Sequence, residues 1–67
     1  MIYYRLNDYE NRGVLVKAIE GKNFRYDKVR GWVRSGIMAQ YFFPDSPVYE
    51  SYEEITEEEA NKLIEQM

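Results

Sequence analysis

The stretch that decides the fold is GVLVKAIEGKNFRYDKVRGWVRS, which spans residues 13–35. Apolar side chains recur at every second position on both sides of Gly21, at Val14, Val16, Phe24 and Tyr26. Alternation of this kind is typical of β-strands that present two distinct faces. The pattern predicts two strands joined by a hairpin at Gly21.

The length of the hairpin loop decides which side chains share a face. A two-residue loop at Gly21 and Lys22 separates the apolar residues, whereas a three-residue loop over residues 19–21 places Val16 and Phe24 on one face. The second arrangement also puts Gly21 where the loop needs a left-handed residue. Because a one-residue slip moves every side chain to the other face, we predict the three-residue loop.

A second turn, residues 27–31, leads into another strand over residues 32–35, and its length stays open. A three-residue loop places Trp32 on the same face as Tyr26 and Arg34, and a four-residue loop places Val33 there. The sequence therefore leaves the burial of Trp32 undecided.

A first strand is predicted from residue 2, because apolar and polar side chains alternate over residues 2–7. The polar stretch 7–12 is rich in turn formers and returns the chain antiparallel into the strand after Gly13. We predict an α+β fold, an antiparallel four-stranded β-meander with a C-terminal α-helix packed on one face. The predicted core face carries Ile2, Tyr4, Leu6, Val14, Val16, Phe24 and Tyr26, and the far face carries Tyr3, Arg5, Leu15, Lys17 and Arg25.

The C-terminal helix, residues 56–67, is the clearest local signal. Thr56 followed by Glu59 matches a capping box, in which the threonine oxygen accepts a bond from the third helical amide. Apolar residues then recur at i, i+3, i+4 and i+7, at Ala60, Leu63, Ile64 and Met67. A helix of about twelve residues is marginal alone in water, so we expect this stripe to pack on the core face of the meander.

The remaining segment, residues 36–55, is aromatic and acidic and connects the meander (residues 1–35) to the helix. Residues 37–43 are apolar enough for one helical turn before Pro44, and residues 44–51 have no period and predict a loop. The 67 residues are expected to form a single small domain.

Composition argues against several functional classes. The chain has no cysteine and no histidine, which removes the usual zinc, iron–sulfur and thiolate chemistry. Its carboxylates cluster near a helix start, where capping and solvation explain them, and its serines have no histidine to activate them. We predict a non-enzymatic protein without metal, cofactor or small-molecule ligand.

No apolar run approaches the roughly 20 residues of a membrane span, and residues 1–5 lack the form of a signal peptide. We therefore expect no membrane association and a cytoplasmic location.

Charge divides the chain into two halves of opposite sign. Residues 1–36 carry a net charge of +4, and residues 37–67 carry −7. One interpretation is that a basic sheet and an acidic tail attract each other within the domain. The alternative is that each half has a partner of its own.

The aromatic content favours a protein-interaction function. Seven tyrosines, three phenylalanines and one tryptophan exceed what so small a core can enclose, and tyrosine suits half-buried interface positions. The predicted interface comprises Tyr41, Phe42, Phe43, Tyr49 and Tyr52. A short chain also gains burial by self-association, so a homodimer is expected as one form of this interaction.

Two other binding functions are the alternatives. Basic and aromatic side chains on an exposed sheet can stack single-stranded nucleic acid, and the candidates are Arg25, Lys28, Arg30, Trp32 and Arg34. An isoelectric point near 4.9 makes this less favourable. Residues 45–59 contain seven carboxylates and no cation, which suggests an acidic inhibitor or nucleic-acid mimic acting on a basic partner.

Overall fold

A computed structural model describes residues 1–67 and contains one antiparallel sheet of five strands. The strands are β1 Ile2–Leu6, β2 Leu15–Ile19, β3 Lys22–Asp27, β4 Gly31–Arg34 and β5 Tyr52–Ile55, in the order β4-β3-β2-β1-β5. A 3₁₀-helix spans Ile37–Tyr41, and the α-helix α1 spans Glu57–Glu65. The predicted α+β class is confirmed, with five strands in place of four.

The β2–β3 hairpin closes one residue more tightly than predicted. Ile19 pairs with Lys22, so the loop consists of Glu20 and Gly21, both with positive φ, 49° and 78°. Two consecutive residues with positive φ are what a type I′ turn requires, and this turn matches the right-handed twist of the strands. The predicted three-residue loop is therefore wrong.

The tighter turn changes which side chains share a face. Val16 pairs with Arg25, and Lys17 pairs with Phe24, so Val16 and Phe24 point to opposite sides of the sheet. One side, the helix face, carries Tyr3, Leu15, Phe24, Trp32 and Ile55; the other, the loop face, carries Tyr4, Leu6, Val16, Arg25 and Tyr52. The predicted single core face is wrong, because apolar residues are buried on both faces.

Helix α1 covers the helix face. Ala60 is fully buried against Tyr3, Leu15 and Ile55, while Leu63, Ile64, Tyr26 and Trp32 pack around this cluster. The predicted cap is confirmed, since Thr56 Oγ1 accepts from the Glu59 amide at 3.0 Å. Ala60, Leu63 and Ile64 thus pack on the sheet as expected, but on the side that was predicted to be the far face. Met67, the fourth residue of the predicted stripe, lies beyond the end of α1 and is exposed.

The loop face has its own cover, the segment that follows β4. The 3₁₀-helix confirms the helical turn predicted within residues 37–43, and it buries Met38 and Tyr41 against Leu6 and Val16. A sheet with apolar residues on both sides needs two covers, and this segment supplies the second.

Strand β5 lies inside the segment predicted to be a connection. It pairs antiparallel with β1, where Tyr3 lies opposite Ile55 and Leu6 opposite Tyr52. Its four residues include two glutamates, and a strand this short shows no alternation in the sequence. Strands β1 to β4 form the predicted meander, and β5 adds a fifth strand beside β1.

Candidate protein-interaction surface

Aromatic rings gather on the loop face where β1 and β5 pair. The Tyr52 ring lies edge-on to Tyr4 and Phe42, with centroids 5.3 and 5.4 Å away, and Tyr4 and Phe42 are 6.0 Å apart. Edge-to-face contacts at these distances are favourable, by about 0.5–1.5 kcal/mol each beyond burial. We define the aromatic patch as Tyr4, Phe42 and Tyr52, together with Tyr49, whose hydroxyl interacts electrostatically with that of Tyr52.

The patch rests on a buried support. The Tyr41 ring is fully buried, and its centroid lies 6.4 Å from that of Tyr52. Its hydroxyl donates to Asp8 and accepts from Asn11 Nδ2 at 3.1 Å, and its carbonyl accepts from the Glu50 amide at 3.1 Å. These bonds attach the 3₁₀-helix and the loop that follows it to the β1–β2 turn.

The five predicted interface residues differ in their exposure to solvent. Phe42, Phe43 and Tyr49 are exposed by 47, 58 and 40%, and Tyr52 is half-buried. Tyr41 lies beneath them and offers no surface. Tyr4, which the sequence placed in the core, belongs to the patch because β1 carries it to the loop face opposite Glu54.

Carboxylates border the patch. Burial, followed by the neighbouring Tyr52 and Glu54, raises the pKa of Tyr4. The negative charge of Glu50, followed by burial, raises the pKa of Tyr49. An apolar surface bordered by negative charge complements an apolar segment that carries lysine or arginine.

The candidate nucleic-acid residues do not share one surface. Arg25 lies on the loop face opposite Val16, Lys28 and Arg30 occupy the β3–β4 turn, and only Trp32 and Arg34 lie on the helix face. The turn has three residues, so Trp32 falls beside Tyr26, half-buried, with their ring centroids 5.2 Å apart.

The helix face does hold a basic and aromatic row that the sequence did not reveal. Lys17, Phe24 and Arg34 lie side by side on β2, β3 and β4. The Lys17 ammonium lies 4.6 Å from the Trp32 ring centroid and 5.8 Å from that of Phe24, within cation–π range. This row depends on the two-residue turn, which the sequence pattern did not predict.

The carboxylates of the acidic stretch 45–59 have different neighbours in the structure. Glu53 forms an ion pair with Arg5 on the helix face, and Glu57 accepts from the Tyr3 hydroxyl at 3.3 Å. Glu54 points to the loop face, opposite Tyr4. Glu53 and Glu54 therefore lie on opposite faces of the sheet, whereas Glu54, Glu57 and Glu59 line one open groove.

The structure contains no group of three or more histidine, cysteine, aspartate or glutamate side chains that could hold a metal ion. Its only α-helix has nine residues, too few to reach across a bilayer. Comparison of the chain with protein-family models, with curated proteins and with solved structures found no match.

Proposed function

We propose that the protein is a non-enzymatic interaction module that binds a protein partner through the aromatic patch. The observation that supports this most directly is the packing of Tyr4, Phe42 and Tyr52 on one another with about half of Phe42 exposed. Interface hot spots are typically aromatic side chains held rigidly at the surface, since such rings bury a large area and lose little entropy on binding.

The charged residues around the patch indicate which kind of partner it would bind. Glu54 and Glu50 flank the rings, and residues 45–59 contain no lysine or arginine. A partner that places an aliphatic or aromatic side chain on Phe42 and a cation beside Glu54 gains both apolar burial and favourable electrostatics.

Partner capture with a matched pair of variants tests this function. The Phe42→Ala variant removes the central exposed ring, and Tyr9→Ala removes a tyrosine that is 95% exposed and lies outside the patch. A partner captured from host lysate, identified and purified, should bind the wild type and Tyr9→Ala equally. It should bind Phe42→Ala roughly tenfold or more weakly. Equal binding to all three proteins would refute the patch as the site.

Self-association is one form of this function and stays a prediction. The solution mass at micromolar concentration, measured for the wild type and Phe42→Ala, tests it. A dimer that Phe42→Ala dissociates would support a second copy as the partner, whereas a monomer would reject self-association through the patch. The cytoplasmic location also stays a prediction.

Single-stranded nucleic acid is the second candidate, and the row of Lys17, Phe24 and Arg34 supports it. A ring flanked by two cations can stack a base while the cations contact phosphates. A labelled oligonucleotide at low salt tests it, because the electrostatic contribution is largest there. Binding that Phe24→Ala weakens and Phe42→Ala does not supports this candidate, and absence of binding at low salt rejects it.

The acidic-mimic alternative has less support, because Glu53 is paired with Arg5 and points to the face opposite that of Glu54.

A further inference from the structure

Strand β5 is the edge of the sheet next to the aromatic patch, and its pairing with β1 determines which backbone groups face outward. The Asn7 amide donates to the Ser51 carbonyl at 2.8 Å, which makes these two residues a hydrogen-bonded pair. In an antiparallel ladder such pairs alternate with non-hydrogen-bonded ones. The N–H and C=O groups of Tyr52 and Glu54 therefore point away from β1, toward the free edge.

The residues with outward backbone groups also send their side chains to the loop face. Tyr52 is part of the patch, and Glu54 lies opposite Tyr4. A strand added at this edge would lie about 4.8 Å from β5. It could form up to four backbone hydrogen bonds with the N–H and C=O groups of Tyr52 and Glu54. Its loop-face side chains would lie beside the side chains of these two residues.

The charge of β5 indicates which kind of strand can pair with its free edge. Antiparallel pairing of β5 with β5 of a second copy would place either Glu53 or Glu54 directly opposite the same residue of that copy, and like charges in this position are destabilising. At the Ile55 end of the strand, an open groove continues along Glu54, Glu57 and Glu59. Both features favour a basic strand over a second β5.

We propose that β5 is a docking edge for an extended, lysine- or arginine-bearing segment of another protein, which adds to the sheet as a sixth strand. The apolar side chains of that segment lie on the aromatic patch, and its cations lie beside Glu54 and the groove. This proposal rests on the proposed function and adds the conformation and the charge of the partner segment.

The probe for this proposal is an eight-residue peptide, Val-Thr-Lys-Thr-Val-Thr-Lys-Thr, whose valines and lysines lie on one face of an extended strand and can reach Tyr52 and Glu54 together. It is added to the isotope-labelled full chain. Two matched peptides accompany it, one with glutamate in place of lysine and one with every backbone nitrogen methylated. Methylation keeps the side chains and removes every backbone donor. Amide NMR signals report which strand each peptide contacts.

Saturable shifts at the Tyr52 and Glu54 amides with the lysine peptide, and none with the glutamate or methylated peptides, are the expected result. The Glu54→Lys variant should reverse the preference between the lysine and glutamate peptides. Glu65→Lys, which makes the same charge change on an exposed position of α1, should leave that preference unchanged. Phe42→Ala should weaken binding roughly tenfold.

Three results would overturn the docking edge. The first is that the methylated peptide binds as tightly as the unmethylated one and that Phe42→Ala still weakens its binding. The patch would then be a binding site, but no strand would be added to the sheet. The second is shifts at Trp32 and Arg34, on the opposite edge of the sheet, in place of shifts at Tyr52 and Glu54. The third is the absence of any amide shift with all three peptides. In that case the capture experiment with Phe42→Ala still tests, independently, whether the patch binds a protein partner.

Discussion

The hydroxyl of Tyr41 donates a hydrogen bond to the carboxylate of Asp8, 33 residues earlier in the chain. Asn11 donates to the same hydroxyl at 3.1 Å and to Asp8 at 3.4 Å, which closes a small network. The ring is fully buried under the aromatic patch, so this contact attaches the cover of the loop face to the β1–β2 turn.

The first prediction removes that hydroxyl. Tyr41→Phe keeps the ring and breaks the bonds to Asp8 and Asn11, so the free energy of unfolding should fall by about 1–3 kcal/mol. Urea denaturation followed by circular dichroism measures the change. Tyr9→Phe, which removes the hydroxyl of a tyrosine with almost full exposure, is the control and should change nothing. Equal stability of Tyr41→Phe and the wild type would contradict the role of the network.

The second prediction concerns alkaline pH. Burial and the bond to Asp8 raise the pKa of Tyr41 from 10.0 to about 12. The folded state therefore holds the phenolic proton more tightly than the unfolded chain does. This contribution to stability is fully present below about pH 10 and is lost as the pH rises to about 12.

Unfolding free energies of the wild type and Tyr41→Phe, measured between these two pH values, test it. The difference between the two proteins should shrink by roughly 2 kcal/mol as the pH rises, because the variant has no phenol at this position. Comparison of the two curves removes the contribution of the other titrating groups. Parallel curves would contradict the raised pKa.

The third prediction concerns the β2–β3 turn. Glu20 has φ 49°, a left-handed conformation that costs an ordinary residue roughly 1–2 kcal/mol and that asparagine tolerates better. Asn-Gly is also the preferred pair in a type I′ turn. Glu20→Asn should therefore raise the free energy of unfolding by about 0.5–1 kcal/mol, as measured in urea.

Glu20→Ala is the control for this change, since alanine loses the charge but keeps the strain. If asparagine and alanine give the same stability, residue 20 is not left-handed. The hairpin would then have the three-residue loop with Gly21 as its single left-handed residue.

The fourth prediction concerns the cap of α1. Thr56 Oγ1 is the acceptor for the Glu59 amide, and the helix places Ala60 and Leu63 against the sheet. Thr56→Ala should lower the free energy of unfolding by about 1 kcal/mol, and Thr56→Ser, which keeps an oxygen at this position, should lose only a fraction of that. Equal losses in both variants would mean that the methyl group, rather than the oxygen, is what stabilises the helix start.

Part of the proposed interaction surface was predictable from local composition. The density of aromatic residues between positions 41 and 52 predicted a cluster, and Phe42, Phe43 and Tyr49 are exposed in the folded chain. The burial of Tyr41 was not predictable, because it depends on Asp8 and Asn11 in a distant turn. Tyr4 joins the patch only because the β1–β5 pairing brings it beside Tyr52.

The length of the β2–β3 loop determines which side chains of the following strand face each side of the sheet. A two-residue and a three-residue loop differ by one residue, and a slip of one residue moves every following side chain to the other face of the sheet. Once Ile19 pairs with Lys22, every side chain of β3 is assigned to a face, and the three-residue turn 28–30 then assigns the side chains of β4. The prediction of one core face failed because it did not foresee a cover on each side.

The sequence by itself determined the first four strands, the turn positions, the α-helix and its cap, because these depend on periodicity and hydrogen bonds within a few residues. Only the tertiary structure decided the register at Gly21, the assignment of Val16 and Phe24 to opposite faces, and the existence of β5. The reason is that strand pairing and burial depend on contacts such as that between Tyr3 and Ile55, which are distant in the chain and leave no local pattern.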